Sequence, residues 1–193
     1  MKKILGIMGS PRKQGNTHAL VTGILAGAKS CGAATTEIVF LGDLNIKECN
    51  GCHVCWTGKE CTKADDMWKL YTKVAESDAI IFGTPVYWYG PTALMKGFID
   101  RFVYFNCDLH RAGVRNKDVA VVIPFEEEDP KTANLVLEFF TKSLDFLEMN
   151  FVGHLLAPGV TRRGEVAENP ELMKRAFELG ERLASMKQSP TGE

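Results

Sequence analysis

Residues 2–17 read KKILGIMGSPRKQGNT, a short apolar run followed by a polar turn and the start of an amphipathic stretch. The run has the length and character of a buried strand, and Leu20, Ile24 and Ala28 continue it at helical spacing. The same succession recurs along the chain, with strands predicted at 2–8, 37–41, 79–83, 118–123 and 151–156. Alternation of this kind predicts an α/β domain, in which helices cover both faces of a parallel sheet.

Helical stripes of apolar residues lie between and after these strands. A short helix is predicted at 66–76, capped by Asp65 or Asp66. The longer stripes run through Leu94, Phe98 and Phe102; Ala133, Leu137, Phe140, Leu144 and Leu147; and Leu172, Ala176, Leu179, Leu183 and Met186. No linker or repeat divides them, so we predict one domain at 1–187, with a cysteine-rich loop at 42–64 and a flexible tail at 188–193.

Composition narrows the class of function. The 193 residues are 45% hydrophobic and 24% charged, with a formal net charge of −1 and a pI near 6.4. A near-neutral chain lacks the basic surface of a non-specific nucleic-acid binder or of a membrane-surface protein. Its longest apolar runs are shorter than a membrane span, and the first is too short for a signal peptide. We therefore predict a cytoplasmic protein that acts on small molecules.

The turn after the first predicted strand is a candidate anion site. Residues 9–17 read GSPRKQGNT and open a helix, so backbone N–H groups and the helix N-terminus can face a negative charge. The candidate ligands are Ser10, Arg12, Gly15, Asn16 and Thr17. The turn matches neither G-x-G-x-x-G nor the P-loop pattern, which favours a monophosphate. A polar helix-capping turn without a ligand is the alternative.

The turn after the third predicted strand is aromatic. Residues 83–91 read GTPVYWYGP, and a core role for three consecutive aromatic side chains at a strand end is hard to arrange. Proline stiffens such a loop and glycine lets backbone approach a flat ring. A flat ligand could therefore stack on the aromatic residues at 87–89, with Pro85 and Pro91 stiffening the loop and Gly83 and Gly90 admitting the ring close to the backbone. The alternative is that one or two of these aromatic side chains cover the end of the sheet or a subunit interface.

Together with LMKGFIDR at 94–101, these two turns make the sequence resemble the flavodoxin-like NADPH-dependent FMN reductase family. The resemblance implies a three-layer sandwich with strand order 2-1-3-4-5 and bound FMN. It also implies that Ser10, Arg12, Asn16 and Thr17 hold the phosphate and that Pro85, Val86, Tyr87 and Trp88 hold the isoalloxazine. Many relatives have a glycine-rich loop after the fourth strand, where this chain has PFEEED at 124–129. These acidic residues disfavour a dinucleotide there, or they cap the next helix.

Four of the six cysteines form a compact motif, Cys49-x2-Cys52-x2-Cys55-x5-Cys61. Structural disulfides are rare in the cytoplasm, so these four predict a ligand site. The cluster of thiols resembles the ligand set of a [4Fe–4S] centre, whereas zinc ligands usually come as two separated pairs. Zinc and free redox-active thiols remain the alternatives. The isolated Cys31 and Cys107 are predicted to be buried apolar residues.

With this motif, the sequence is similar to the iron-sulfur flavoproteins of archaea and anaerobic bacteria. The resemblance implies an oxidoreductase with FMN and a [4Fe–4S] cluster in each subunit of a homodimer or homotetramer. We expect it to transfer electrons from a ferredoxin-like donor to a small oxidant, with no catalytic acid–base residue. A reductase that takes electrons from NAD(P)H to FMN or a quinone, and a zinc-stabilised FMN-binding redox module, are the alternatives. Asp100 and Arg101 are expected to make local ion pairs at a subunit contact.

Overall fold

A five-stranded parallel sheet runs through the computed structural model, which describes residues 1–186. Its strands are β1 (Lys2–Met8), β2 (Ala34–Phe40), β3 (Ala79–Gly83), β4 (Asp118–Pro124) and β5 (Asn150–Ala157), in the order β2-β1-β3-β4-β5. The α/β class and the strand order are confirmed. The predicted tail at 188–193 lies outside the described residues, and the domain bounds stay a prediction.

Helices cover both faces of the sheet. They are α1 (Asn16–Ser30), α2 (Met67–Glu76), α3 (Ala93–Asp100), α4 (Asp108–Arg111), α5 (Asn134–Phe146) and α6 (Pro170–Ser185). The stripe predicted through Phe102 leaves α3 after Asp100 and continues in a 3-10 segment, Arg101–Asn106. The predicted cap of α2 is confirmed for Asp65, whose Oδ1 accepts from the Met67 backbone N–H at 3.1 Å.

The core consists of two apolar layers, one on each face of the sheet. Alternate β1 side chains enter different layers: Leu5 and Ile7 face α2, α3 and α5, whereas Ile4 and Met8 face α1 and α6. Burial on both faces explains why the inner strands read as nearly continuous apolar runs. The polar side chains of the candidate sites lie in the loops and not in the core layers or the strands.

The contact between α1 and α6 depends on small residues. A β-carbon built on Gly180 would overlap the backbone of Ile24 in α1, so the two helices touch through their backbones. We expect Gly180→Ala to lower the free energy of unfolding by about 2–3 kcal/mol, because the helices must separate to admit one methyl group. Urea unfolding followed by circular dichroism measures this change.

Gly97 in α3 provides the matched control, because a β-carbon built there meets no atom within 4 Å among the described residues. Gly97→Ala is expected to raise stability by about 0.5–1 kcal/mol through helix propensity alone. Equal effects of the two substitutions would show that α1 and α6 are not in backbone contact.

The loops that follow the strands lie along the carboxyl edge of the sheet. The chain leaves β1 towards β2 on one side and returns to β3 on the other, so a crevice opens between the ends of β1 and β3. This edge carries the β1 loop (residues 9–17), the cysteine loop (42–64), the β3 loop (84–92), the β4 loop (125–129) and the β5 loop (158–168). Across residues 1–186, every helix is too short or too polar to cross a lipid bilayer.

Candidate functional site

A cleft opens at the crevice between β1 and β3, with a volume of about 260 Å³. The β1 and β3 loops supply most of the predicted ligands: Ser10, Arg12, Gly15, Asn16, Thr17, Pro85, Val86 and Tyr87. The end of β4 and the β4 and β5 loops supply the rest of the lining: Pro124, Phe125, Glu126, Val160, Thr161 and Arg163. The two turns that carried the prediction therefore meet in one cleft.

One end of this cleft suits an anion. The α1 helix begins after Gly15 with no capping side chain and with no acidic residue in its first turn. Its first backbone N–H groups are thus left for a negatively charged ligand. The Ser10 hydroxyl accepts from the Arg12 N–H at 3.2 Å, which folds the loop so that both residues line the cleft.

The β5 loop is tied to the β1 loop across this end. The Asn16 side chain donates to the Arg162 carbonyl at 3.0 Å and accepts from the Val166 N–H at 3.2 Å. Arg163 donates through Nε to the Lys13 carbonyl at 2.9 Å and lines the cleft. The predicted ligand Asn16 therefore uses its amide for this tie, and a second arginine joins Arg12.

The aromatic residues of the β3 loop divide between the cleft and solvent. Tyr87 and Gly90 exchange backbone hydrogen bonds at 2.9 and 3.0 Å, which closes a two-residue turn. Trp88 and Tyr89 occupy its centre with φ of 50° and 60°, a left-handed conformation that Asn and Gly usually supply. Trp88 is 96% exposed. Tyr87 lines the cleft, whereas the predicted ligands Trp88 and Gly90 do not.

The β4 loop forms part of the cleft wall through Phe125 and Glu126. Asp129, at the end of this acidic stretch, accepts from the Lys131 N–H at 2.9 Å and caps a 3-10 segment, Pro130–Ala133. The capping interpretation holds for Asp129. Sequence reasoning missed Phe125, Thr161 and Arg163, although the rule that loops after parallel strands share one edge points to them.

The cysteine loop forms a second pocket on the same edge. All four motif cysteines line it, together with Asn50, His53, Lys63, Tyr71, Arg101, Val103 and Tyr104. Gly51 and Gly58 have φ of 66° and 78°, which lets the backbone wrap around the pocket. The His53 ring stacks on Trp56 at 3.9 Å between centroids.

The base of this loop is fastened to α2. The two aspartates before the helix accept from the backbone of the loop, Asp65 from Lys47 at 3.0 Å and Asp66 from Asn45 at 2.8 Å. The Trp68 indole donates to the Lys63 carbonyl at 2.8 Å. Side chains at the start of α2 therefore hold both ends of the loop.

The thiols of the pocket differ in environment. Burial raises the pKa of Cys55, and negative charge on Cys61, Cys49 and Cys52 raises it further. Hydrogen bonds from the Val54 backbone and the Thr62 hydroxyl lower the pKa of the exposed Cys52. Because the four cysteines line one pocket, their thiolates would repel one another there, and a bound cationic centre would relieve that repulsion.

Arg101 points into the pocket, which corrects the expectation that it pairs at a subunit contact. Its guanidinium is buried, donating through Nη1 to Asp65 Oδ2 at 2.5 Å and through Nη2 to Cys61 Sγ at 3.3 Å. Burial alone would disfavour the charged form of each side chain. The hydrogen bonds between them outweigh this effect, so the pKa of Asp65 is lowered and that of Arg101 is raised. Asp100 makes the expected local ion pair, with Lys96 at 2.5 Å.

The two isolated cysteines were predicted wrongly. Cys31 is exposed because it follows the last residue of α1, and Cys107 is half-buried before α4. Among residues 1–186, no three His, Cys, Asp or Glu side chains are arranged around a point that one metal ion would occupy. The four motif cysteines nevertheless line one pocket.

Comparison with known proteins places the chain among flavoproteins. The NADPH-dependent FMN reductase family matches residues 2–152. An "Iron-sulfur flavoprotein" of Archaeoglobus fulgidus is 33% identical over 182 residues, which make up 94% of this chain and 79% of that protein. A second protein of the same name and organism is 43% identical over 63% of this chain and 58% of its own length.

The solved structures share the fold. An NAD(P)H:quinone oxidoreductase from Methanothermobacter marburgensis superposes with a TM-score of 0.70 at 14% identity, covering 94% of this chain and 98% of that one. At this identity the likeness concerns the architecture, a flavodoxin-like sheet with its crevice at the carboxyl edge.

Proposed function

This chain belongs to the iron-sulfur flavoproteins of the NADPH-dependent FMN reductase family, and on that premise we propose that it carries electrons between a ferredoxin-like donor and a small oxidant through FMN and a [4Fe–4S] cluster. It is an FMN-dependent oxidoreductase. FMN exchanges one or two electrons and an iron–sulfur cluster exchanges one, so together they connect a one-electron donor with a two-electron acceptor. We extend the proposal to a homodimer or homotetramer.

The cleft supports FMN as its ligand. Arg12, Arg163 and the uncapped N-terminus of α1 would hold the phosphate, with hydroxyls from Ser10 and Thr17. Pro85, Val86 and Tyr87 would flank the isoalloxazine, and Phe125 would close the other wall. The tie from Asn16 to the β5 loop keeps Arg163 beside the phosphate end.

The observation that carries the cluster proposal is the single pocket lined by Cys49, Cys52, Cys55 and Cys61. Four thiolates suit a cationic iron–sulfur centre, and the Arg101 guanidinium offers a hydrogen bond to one sulfur. A zinc ion would need all four sulfurs about 2.3 Å from one point. Zinc ligands usually come as two separated pairs, unlike the x2-x2-x5 spacing of these cysteines, so zinc is the weaker candidate.

Anaerobic purification followed by analysis of iron, sulfide, zinc and FMN per chain tests the proposal. We expect about four irons, four sulfides and one FMN, with a broad absorption shoulder beside the flavin bands. Zinc with FMN would favour the zinc-stabilised redox module. FMN without metal, bleached rapidly by NAD(P)H, would favour the NAD(P)H-dependent reductase.

A further inference from the structure

The guanidinium of Arg101 is a buried cation in the wall of the cysteine pocket. Its side chain is 1% exposed and the carboxylate of Asp65 is 0% exposed. Besides Asp65 it donates to the Lys47 carbonyl at 2.8 Å and to Cys61 Sγ at 3.3 Å, and it lies over the Tyr71 ring at 5.9 Å. A buried ion pair adds little stability over apolar residues of the same volume. What distinguishes this pair is that its cation contacts a sulfur.

We propose that Arg101 raises the reduction potential of the cluster in the cysteine pocket, an inference that rests on the function proposed above. One-electron reduction by an external reductant adds one negative charge to the cluster and its thiolates, without proton transfer. A fixed cation hydrogen-bonded to a ligating sulfur stabilises the added charge. Hydrogen bonds to the sulfurs and net charge are two of the properties that set such potentials.

Asp65 opposes this effect from the other side of Arg101. Its carboxylate accepts from Arg101 and from the Lys47 N–H, which holds the guanidinium against Cys61 but also offsets part of its positive charge. Besides the cysteines, the other ionisable side chains that line this pocket are His53, Lys63, Tyr71 and Tyr104. Removal of the cation and removal of the anion should therefore shift the potential in opposite directions.

Redox titration of the anaerobically prepared holoprotein, followed by electron paramagnetic resonance and visible absorbance, measures both shifts. We expect Arg101→Gln to reduce the equilibrium constant for cluster reduction at least tenfold, which lowers the midpoint potential by about 59 mV. Asp65→Asn is expected to raise the midpoint potential. Arg115→Gln serves as the matched control, because this exposed arginine pairs with Glu148 outside the pocket and should cause no shift.

Unchanged potentials in both variants, or shifts of the same sign, would overturn the proposal and leave Arg101 as a structural residue. If Arg101→Gln fails to fold, the midpoint potentials of Asp65→Asn and Arg101→Lys test the proposal instead. Lysine keeps the charge but not the planar fork, so its potential should stay closer to that of the unaltered protein. Iron and sulfide analysis precedes the titration, so an unaltered protein without a cluster would show failure of the proposed function itself.

Discussion

Cys52→Ser is expected to remove the cluster, reducing iron from about four atoms per chain to less than one, while FMN stays at about one per chain. A serine hydroxyl is not deprotonated at neutral pH and does not replace a thiolate ligand. Cys52 is the exposed member of the four, so its replacement disturbs packing least. Iron, sulfide and flavin assays on anaerobic preparations give the answer.

Cys31→Ser is the matched control, since Cys31 is also exposed but lies at the end of α1. It should leave both cofactors in place. The lining of the cleft and that of the cysteine pocket share no residue among those described, so the cluster can be lost without loss of FMN. Loss of FMN together with iron in Cys52→Ser would contradict that separation.

Arg12→Ala combined with Thr17→Val is expected to weaken FMN binding at least a hundredfold. The first change removes a charge-assisted hydrogen bond, and the second removes a hydroxyl but keeps the side-chain shape. Together they should reduce the free energy of FMN binding by about 3 kcal/mol. Titration of the flavin-free protein with FMN and with riboflavin measures the effect. Riboflavin has no phosphate, so its affinity should hardly change.

Arg162→Ala is the control for this pair. Arg162 lies on the β5 loop, but its side chain points to Glu168 at 2.8 Å and is exposed. FMN affinity should therefore stay within a few-fold of the unaltered protein. An equal loss of FMN and riboflavin affinity in the double variant would instead assign Arg12 and Thr17 to loop structure.

The sheet was predictable because its inner strands are buried on both faces. β1 and β3 match their predicted bounds, since apolar runs mark them clearly. β2 runs from Ala34 to Phe40 rather than from 37 to 41; its start was missed because an edge strand accepts polar side chains such as Thr35 and Thr36. β5 carries a bulge at Val152, between Phe151 and Gly153, and Gly153 has φ 150°, so the alternation of its side chains is interrupted.

The sequence predicted which loops carry the functional residues, but it predicted fewer of the contacts that those residues make. The motif alone identified the four cysteines that line one pocket. It did not identify Arg101 as their neighbour, because an arginine at the end of an amphipathic helix reads as a surface residue. Its partner Asp65 lies 36 positions earlier, and the two meet where α2 packs against the 3-10 segment Arg101–Asn106, with Tyr71 stacked on Tyr104.

The β3 loop shows a different limit of sequence reasoning. Trp88 and Tyr89 adopt left-handed backbone conformations that their residue types rarely take, so the turn carries no Asn-Gly signal. Three adjacent aromatics therefore suggested a common role. The turn instead directs Trp88 into solvent and leaves Tyr87 at the cleft.

All three tryptophans of the chain lie on the two functional loops or at the start of α2, with exposed fractions of 46% for Trp56, 40% for Trp68 and 96% for Trp88. The indoles thus lie on the segments that form the cysteine pocket and the cleft, and the core layers are built from other side chains. A chromophore bound at either site would therefore quench intrinsic emission, which reports on these loops and on the start of α2 rather than on the two core layers.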